Sequence, residues 1–225
     1  MITINKVMLS FSGGKDSVLA LHRLLENEDY DVSYLLITMS EDYERSSIHG
    51  VREEIVDAQA KAIGLPVKKV YLPNPCPNEK YEQIMSKVME EAIQDGITHV
   101  AFGDIFLEDL KKYREQNLEG LSIQPIFPLW GCATPELMNE FIDLGYKMII
   151  TTIDPVKVPE SNLGKIIDHK FLNELPNSID PCGENGEFHT FVYDGPIFNH
   201  PVNIKVTDDV VKDQFYWYRD LVLKP

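Results

Sequence analysis

The stretch Ser10–Ser17, which reads S-F-S-G-G-K-D-S, places the tightest constraint on how this chain can fold. The apolar run Val7–Leu9 before it predicts a buried strand, and Val18, Leu21 and Leu25 after it recur on one face of a helix. Two adjacent glycines allow a sharp turn between strand and helix and leave no Cβ in the way of a ligand. Because the first amides of a helix are unpaired and carry the positive end of its dipole, the stretch predicts a phosphate-binding turn.

The spacing of this motif excludes two common phosphate-binding loops. A Walker A loop has a glycine, four further residues and then Gly-Lys-Ser/Thr. Here Leu9 occupies the position of the leading glycine, and Asp16 follows Gly14 and Lys15. The G-x-G-x-x-G fingerprint of dinucleotide-binding folds is also absent.

The motif S-G-G-K-D-S directly after a strand instead resembles the PP-loop of the N-type ATP pyrophosphatase superfamily. Members of that superfamily cleave ATP between the α- and β-phosphates and activate a substrate oxygen as an adenylate. The resemblance implies that the pyrophosphate portion of ATP is bound by Ser10, Ser12, Gly13, Gly14, Lys15, Asp16 and Ser17. A glycine turn that only connects a strand to a helix is the alternative.

Strands and helices alternate along the first half of the chain. Further strands are predicted at 32–38, 67–72 and 98–102, and the helices between them end near Gly64 and Gly96. This alternation predicts an α/β fold, with a parallel sheet covered by helices on both faces. Ligands of such sheets bind beyond the carboxyl ends of the strands, so Asp104, after the fourth strand, is expected near the turn that follows the first.

The segment Gly103–Glu115 contains the second group of charged residues. A helix beginning at Ile105 would place Asp104 and Glu108 on one face. Carboxylates beside a triphosphate are typical Mg²⁺ ligands, and Arg114 is suited to a phosphate or a carboxylate. A solvated helix with charged surface pairs is the alternative.

A domain boundary is predicted near Trp130, so that residues 1–130 would form one domain and residues 131–225 a smaller α+β domain. In the second domain Thr134 is predicted to cap a helix whose first residue is Pro135, and strands are expected at 147–152, 188–193, 202–206 and 214–221. Polar residues are dense between Asp180 and Thr190. A strand starting at Glu187 would place Glu187 and His189 on one face as an acid/base pair, with a simple hairpin turn as the alternative.

Taken in order, the three motifs S-G-G-K-D-S, G-D-I-F-L-E-D-L-K-K-Y-R-E and G-E-N-G-E-F-H-T resemble the diphthine–ammonia ligase family of PP-loop proteins. The resemblance covers nearly the whole chain. It implies an ATP-binding domain of the adenine nucleotide alpha hydrolase type, a smaller C-terminal domain on the substrate side, and an ATP-dependent carbon–nitrogen ligase. In the family's best-known reaction ATP adenylates the carboxylate of diphthine on translation elongation factor two, and ammonia then displaces AMP.

The resemblance also implies site residues, with ATP and Mg²⁺ as cofactors. Asp104 and Glu108 would lie near the phosphates and Mg²⁺, whereas Glu184, Glu187 and Thr190 would lie over a carboxylate-bearing acceptor. Together with Lys15 these five residues form the predicted catalytic set. The diphthamide-making branch has G-A-I-x-S-D-Y-Q and G-E-G-G-E-Y-E-T at the two later motifs, so this chain resembles a sister branch whose acceptor stays open.

Composition limits the partners. The formal charge of −15 is spread over both halves without a Lys/Arg cluster, which argues against a nucleic-acid partner. No apolar run approaches the roughly 20 residues that cross a bilayer, and residues 1–6 lack the pattern of a signal peptide, so no membrane partner is expected. The three cysteines are widely spaced, which argues against disulfides or zinc and for a reducing cytoplasm.

Two other functions are left open at this point. The first is a non-catalytic sensor that binds ATP or AMP and changes its domain geometry. The second is a PP-loop enzyme that modifies tRNA, which would usually need paired cysteines and a basic surface. A homodimer is an open alternative for the assembly.

Overall fold

The computed structural model of the protein describes residues 4–47 and 49–224. The prediction about a signal peptide concerns residues 1–6, and the first three of these lie outside the described residues. The first half alternates strands and helices. Its elements are β1 (Asn5–Ser10), α1 (Lys15–Leu25), β2 (Tyr30–Ser40), β3 (Arg45–Ser46), α2 (Glu53–Ile63), β4 (Val67–Leu72), α3 (Asn78–Gln94), β5 (His99–Ala101), α4 (Glu108–Leu118) and β6 (Gln124–Ile126).

Five of these strands form a parallel sheet in the order β4-β2-β1-β5-β6, and the short β3 pairs antiparallel with the end of β2. The chain moves outward from β1 to β2 and β4 and then continues to β5 and β6 on the other side of β1. The strand order therefore reverses at β1, which leaves a crevice beyond its carboxyl end. The predicted α/β fold is confirmed, and the stretch that begins at Ser10 lies at this crevice.

The second half is built on an antiparallel sheet in the order β8-β7-β10-β9. Its elements are α5 (Thr134–Asp143), β7 (Lys147–Ile153), a 3₁₀ turn (Glu160–Asn162), α6 (His169–Glu174), β8 (Phe188–Asp194), β9 (Ile204–Lys212) and β10 (Trp217–Leu223). This is the mixed α+β arrangement that the sequence predicts for the C-terminal part.

One buried apolar cluster extends from the first sheet to the second. Leu21 of α1 and Ile55 of α2 belong to the same cluster as Phe141 and Phe188 of the second half. Helices α3 and α4 cover the opposite face of the parallel sheet, over a smaller cluster that includes Met8. Because the two sheets share a core, the packing fixes β8 relative to the turn that follows β1.

An ion cluster also joins the two halves. The buried carboxylate of Asp220 on β10 accepts hydrogen bonds from Arg45 Nη1 at 2.7 Å and from Arg52 Nη2 at 2.6 Å and Nε at 3.0 Å. Arg45 also donates to the carbonyl of Gly50 at 2.8 Å. The connection that carries both arginines is thereby fastened to the second sheet.

Three local predictions differ from the structure. Helix α5 begins at Thr134 after the N-cap Ala133, and Thr134 Oγ1 donates to Asp180, so Thr134 does not cap the helix. Helix α4 begins at Glu108 and not at Ile105, so Asp104 precedes the helix and does not share a face with Glu108. Strand β8 begins at Phe188, so Glu187 lies in the preceding turn and does not form a same-face pair with His189. Among the described residues no helix is long and apolar enough to span a bilayer, and the three cysteines are free.

Candidate functional site

A cavity of about 520 Å³ opens where the strand order reverses at the carboxyl end of β1. It is lined by the turn after β1 and the start of α1, by the end of β2, by α3 and α4, and by residues of the 183–189 segment. The predicted site residues that line it are Ser10, Ser12, Lys15, Asp16, Ser17, Asp104 and Glu184. Three motifs that are distant in sequence therefore contribute to one cavity.

The turn between β1 and α1 is held in place by the second sheet. Gly13 has a φ of +80°, and its carbonyl accepts hydrogen bonds from the amide of Val192 at 3.0 Å and from Gln59 Nε2 at 2.9 Å. A Cβ on Gly14 would lie 2.9 Å from the carbonyl oxygen of Thr190. The first glycine is thus required by the backbone conformation, and the second by the close approach of β8.

The amides of this turn are only partly engaged. The amide of Ser12 donates to Ser17 Oγ at 3.3 Å, that of Gly14 to Ser12 Oγ at 3.3 Å, and that of Lys15 to Thr190 Oγ1 at 3.1 Å. Within residues 4–47 and 49–224, the amides of Gly13 and Ser17 have no hydrogen-bond acceptor. The hydroxyls that brace the turn can rotate, so the turn retains donors for an anion.

Lys15 is buried, and its Nζ lies 2.8 Å from the carboxylate of Asp16 and 5.6 Å from the centre of the Phe188 ring. Burial opposes the charge of Lys15, but the adjacent Asp16 carboxylate outweighs it and raises the Lys15 pKa. Burial raises the pKa of Asp16, and Lys15 opposes that shift. The lysine therefore remains a cation at the start of α1.

Asp104 lies beside the same turn but already has a partner. Arg114 of α4 donates from Nε and Nη2 to the two oxygens of Asp104, at 2.5 and 3.3 Å. The arginine also lies over the ring of Phe102, with Cζ 4.3 Å from the ring centre. Glu108 is exposed and is not among the residues that line the cavity. The structure therefore brings Asp104, and not Glu108, to the cavity.

The far side of the cavity is apolar. Leu36, Ile37, Tyr81, Met85 and Phe102 line it, between the end of β2 and helix α3. A cavity that combines apolar side chains with a buried cation and hydrogen-bond donors suits a ligand that combines an aromatic ring with phosphates.

The three site residues predicted in the third motif, Glu184, Glu187 and Thr190, have different surroundings in the structure. Glu184 lines the cavity, where its Oε1 accepts a hydrogen bond from the amide of Ile105 at 3.0 Å. Glu187 is buried in the turn, with Oε1 accepting from the amide of Asp180 at 3.1 Å, and it does not line the cavity. Thr190 is buried against the turn after β1. Among these three, only Glu184 is presented to a ligand.

Comparison with known proteins identifies the family to which this chain belongs. A model described as the diphthamide synthase N-terminal domain matches residues 5–124, and one described as the diphthamide synthase C-terminal domain matches residues 133–222. The chain belongs to the diphthamide synthase family. Every described residue that lines the cavity falls within one of the two segments matched by the diphthamide synthase family models.

Individual relatives are consistent with this membership. A zebrafish (Danio rerio) protein named diphthine–ammonia ligase is 26% identical over 92% of this chain and 89% of its own length. The human protein of that name is 24% identical over 92% of this chain and 85% of its own length. A solved structure titled as a predicted subunit of tRNA methyltransferase from Methanocaldococcus jannaschii is 21% identical, covers 86% of this chain and 98% of its own, and has a TM-score of 0.45. Two predictions are thereby confirmed, the family and the enzyme class of an ATP-dependent carbon–nitrogen ligase.

Some contacts of this diphthamide synthase family member were not foreseen from the sequence. His49 donates from Nδ1 to the carbonyl of Thr190 at 3.0 Å, and Gln59 bridges Gly13 to Val192. Neither residue belongs to a recognisable motif, so sequence offered no signal for them. Asp180, which supports Glu184, did lie in the polar segment that the sequence singled out, but nothing in that segment distinguished its role.

Replacing Thr190 by Val should lower the free energy of unfolding of this protein by about 1–3 kcal/mol, because the buried amide of Lys15 would lose its hydrogen-bond acceptor. Thermal melting would measure the loss. The matched control is Thr190→Ser, which keeps the hydroxyl and should remain closer to the wild type. Equal melting temperatures for the two variants would contradict the importance of this hydrogen bond.

Proposed function

We propose that the protein is an AMP-forming amide ligase. ATP adenylates a carboxylate of the acceptor with release of pyrophosphate, and a nitrogen nucleophile then displaces AMP. The observation that carries this proposal is the cavity at the turn after β1, which combines free helix-start amides and a buried lysine with an apolar side. The diphthine–ammonia ligase name of the relatives supports the same reaction type.

In this proposal the turn and the start of α1 bind the pyrophosphate portion of ATP. Lys15 and the amide of Ser17 would donate to the charge that grows on the departing pyrophosphate, and the hydroxyls of Ser12 and Ser17 can rotate to donate as well. Donors fixed in advance stabilise such charge without a reorganisation cost, and one of them is typically worth about 3–4 kcal/mol.

The charge of the cavity supports a divalent cation as cofactor. Lys15 and Arg114 are each neutralised by an aspartate, Asp16 and Asp104, and Glu184 adds a further acid. A triphosphate would therefore enter a cavity with no surplus of positive charge, and the cation would supply it, polarising the phosphates. We propose Mg²⁺, held by Asp104 and the phosphate oxygens; the residues 4–47 and 49–224 contain no cluster of three His, Cys, Asp or Glu side chains that could hold it alone.

We further propose that residues 1–130 bind the nucleotide and residues 131–225 present the acceptor side, with Glu184 nearest to the reacting groups. The acceptor class is a carboxylate, and diphthine carried on elongation factor two is the first acceptor to test because of the names of the relatives. The cytoplasm is the compartment in which such an acceptor would be met. A homodimer remains an open alternative for the assembly.

The experiment that tests the proposal is product analysis. The protein is incubated with ATP, Mg²⁺, ammonium chloride and a panel of carboxylate acceptors, and AMP and pyrophosphate are measured against ADP and phosphate. An AMP-forming ligase yields AMP and pyrophosphate in equal amounts, whereas a sensor that only binds ATP yields neither. A gel shift with total tRNA at low salt, followed by AMP release only when tRNA is present, would favour the tRNA-modifying alternative.

A further inference from the structure

Among the described residues, Glu184 is the cavity-lining carboxylate that is neither exposed nor paired with a cation. Of the cavity-lining carboxylates that are not exposed, Asp16 is paired with Lys15 and Asp104 with Arg114. Among the described residues Glu184 accepts one hydrogen bond, from the amide of Ile105 to Oε1. Its second oxygen is left for a ligand, and a carboxylate without a partner favours a small cation.

The support beneath Glu184 holds it in position. Asp180 Oδ1 accepts from the amides of Glu184 at 3.2 Å and Cys182 at 2.9 Å, and its Oδ2 accepts from Thr134 Oγ1 at 2.6 Å. Glu187 in turn accepts from the amide of Asp180. Asp180 and Glu187, which do not line the cavity, therefore hold the segment that presents Glu184 to it.

Two uncharged imidazoles line the same cavity. The rings of His49 and His189 lie 4.7 Å apart, and burial lowers the pKa of His49 to about 4 and that of His189 well below its usual value. Because His49 Nδ1 donates to the carbonyl of Thr190, its Nε2 carries a lone pair. The two rings can accept a hydrogen bond from a small cation. The charge of Lys15 also acts on both rings, but Lys15 is paired with the Asp16 carboxylate.

We propose that Glu184 binds ammonium and removes its proton, in a cavity that His49 and His189 also line. This inference rests on the proposed function and deepens it by assigning residues of this chain to the binding and deprotonation of the nitrogen donor. Ammonium is the prevailing form of ammonia at neutral pH, but only uncharged ammonia has the lone pair that attacks an acyl adenylate. An acid-base group at the subsite is therefore needed between binding and attack.

The step balances as follows. Ammonium transfers one proton to the Glu184 carboxylate, and the nitrogen lone pair forms a C–N bond to the acyl carbon. As the tetrahedral intermediate collapses, the C–O bond to AMP breaks with its electron pair, and the second proton lost by nitrogen goes to the AMP phosphate. Glu184 then returns its proton to water.

The environment of Glu184 agrees with this role. Burial raises its pKa to about 7; the hydrogen bond from Ile105 and the charge of Lys15 oppose that rise, whereas Asp16 and Asp104 favour it. Cys182, in the same turn, is a thiol whose pKa is raised by burial and is uncharged at neutral pH. A proton acceptor with a pKa near the working pH transfers protons efficiently.

The test compares two nitrogen nucleophiles in Glu184→Gln, which keeps the shape of the side chain. Ammonium must lose a proton, whereas hydroxylamine is already uncharged at neutral pH. We expect the rate with ammonium to fall by about 10²-fold and its KM to rise, while the rate with hydroxylamine falls less than about 5-fold. The matched control is Glu90→Gln, an exposed glutamate of α3 outside the cavity, which should behave as the wild type.

A binding measurement keeps this inference separate from the proposed function. Ammonium chloride, compared with sodium chloride at equal ionic strength, should raise the melting temperature of the wild type and leave that of Glu184→Gln unchanged. If ammonium raises the melting temperatures of the wild type and Glu184→Gln equally, the proposed role of Glu184 is wrong. This outcome can be reached even if no AMP is ever detected. Equal losses with ammonium and hydroxylamine, or a shifted Mg²⁺ midpoint in Glu184→Gln, also overturn it, the latter in favour of a metal ligand.

Discussion

Lys15→Ala is expected to lower the rate of AMP formation by about 10²–10³-fold, the effect of removing one donor from a preorganised anion site. The side chain lies at the start of α1, is 4% exposed and lines the cavity. Among the described residues Arg114 is the other lysine or arginine that lines the cavity. It is held by two hydrogen bonds to Asp104, so it is poorly placed to substitute. Release of AMP and pyrophosphate, measured with saturating ATP and Mg²⁺, tests this expectation.

The control for Lys15→Ala must separate catalysis from folding. Removing Lys15 leaves the Asp16 carboxylate without its partner, so some loss of stability is expected and thermal melting should accompany the assay. Lys69→Ala is a matched variant, because Lys69 also pairs with carboxylates, Glu53 and Asp57, but lies outside the cavity. A folded Lys15→Ala protein that forms AMP at the wild-type rate would refute the assignment of the turn.

Asp220→Asn is expected to lower the stability at neutral pH by roughly 2–3 kcal/mol, because it removes the charge that two arginines share. For a chain of this length that corresponds to a fall in melting temperature of roughly 5–10 °C. The arginines are partly exposed and can be rehydrated, so a larger effect is not expected. Asp57→Asn removes a more exposed partner of Lys69 and should cost about 1 kcal/mol or less.

The same carboxylate predicts how stability depends on pH. Burial would raise the pKa of Asp220, but hydrogen bonds from Arg52 and Arg45 outweigh it and lower the pKa to about 2. A depressed pKa in the folded protein means that the contribution is fully present above pH 4 and is lost as pH falls from 4 to 2. Over that window wild type should lose roughly 2 kcal/mol from this group, and Asp220→Asn should not. Unfolding curves that stay equally far apart at pH 7 and pH 3 would contradict this account.

Local features of the sequence were sufficient for the parallel half of the fold. The apolar run before Ser10, the two glycines and the periodic residues after Ser17 predicted a strand, a turn and a helix, and these are β1 and α1. Such signals are short-range, since each depends on residues within one or two helical turns. They failed where the boundary depended on a distant contact: α4 starts three residues later than expected, and the amide of Ile105 is used by Glu184.

The candidate site shows the same division. Sequence motifs singled out Lys15, Asp104 and Glu184, and the structure places all three at one cavity. Glu108 and Glu187 came from the same motifs, but one is exposed and the other is buried beneath the cavity-lining turn. A motif identifies which segment is involved, but the direction of each side chain depends on packing that the motif does not encode.

The sequence by itself determined the α/β class, the glycine turn after β1 and the family, because glycine positions, periodicity and motif order are properties of neighbouring residues. Only the tertiary structure decided that Thr190 Oγ1 accepts a hydrogen bond from the amide of Lys15, 175 residues away in the sequence, and that Arg114 forms an ion pair with Asp104. Among the described residues it also left Glu184 as the one cavity-lining acid that is neither exposed nor paired with a cation. These outcomes depend on how two sheets pack on one shared core, and that packing is a balance over the whole chain.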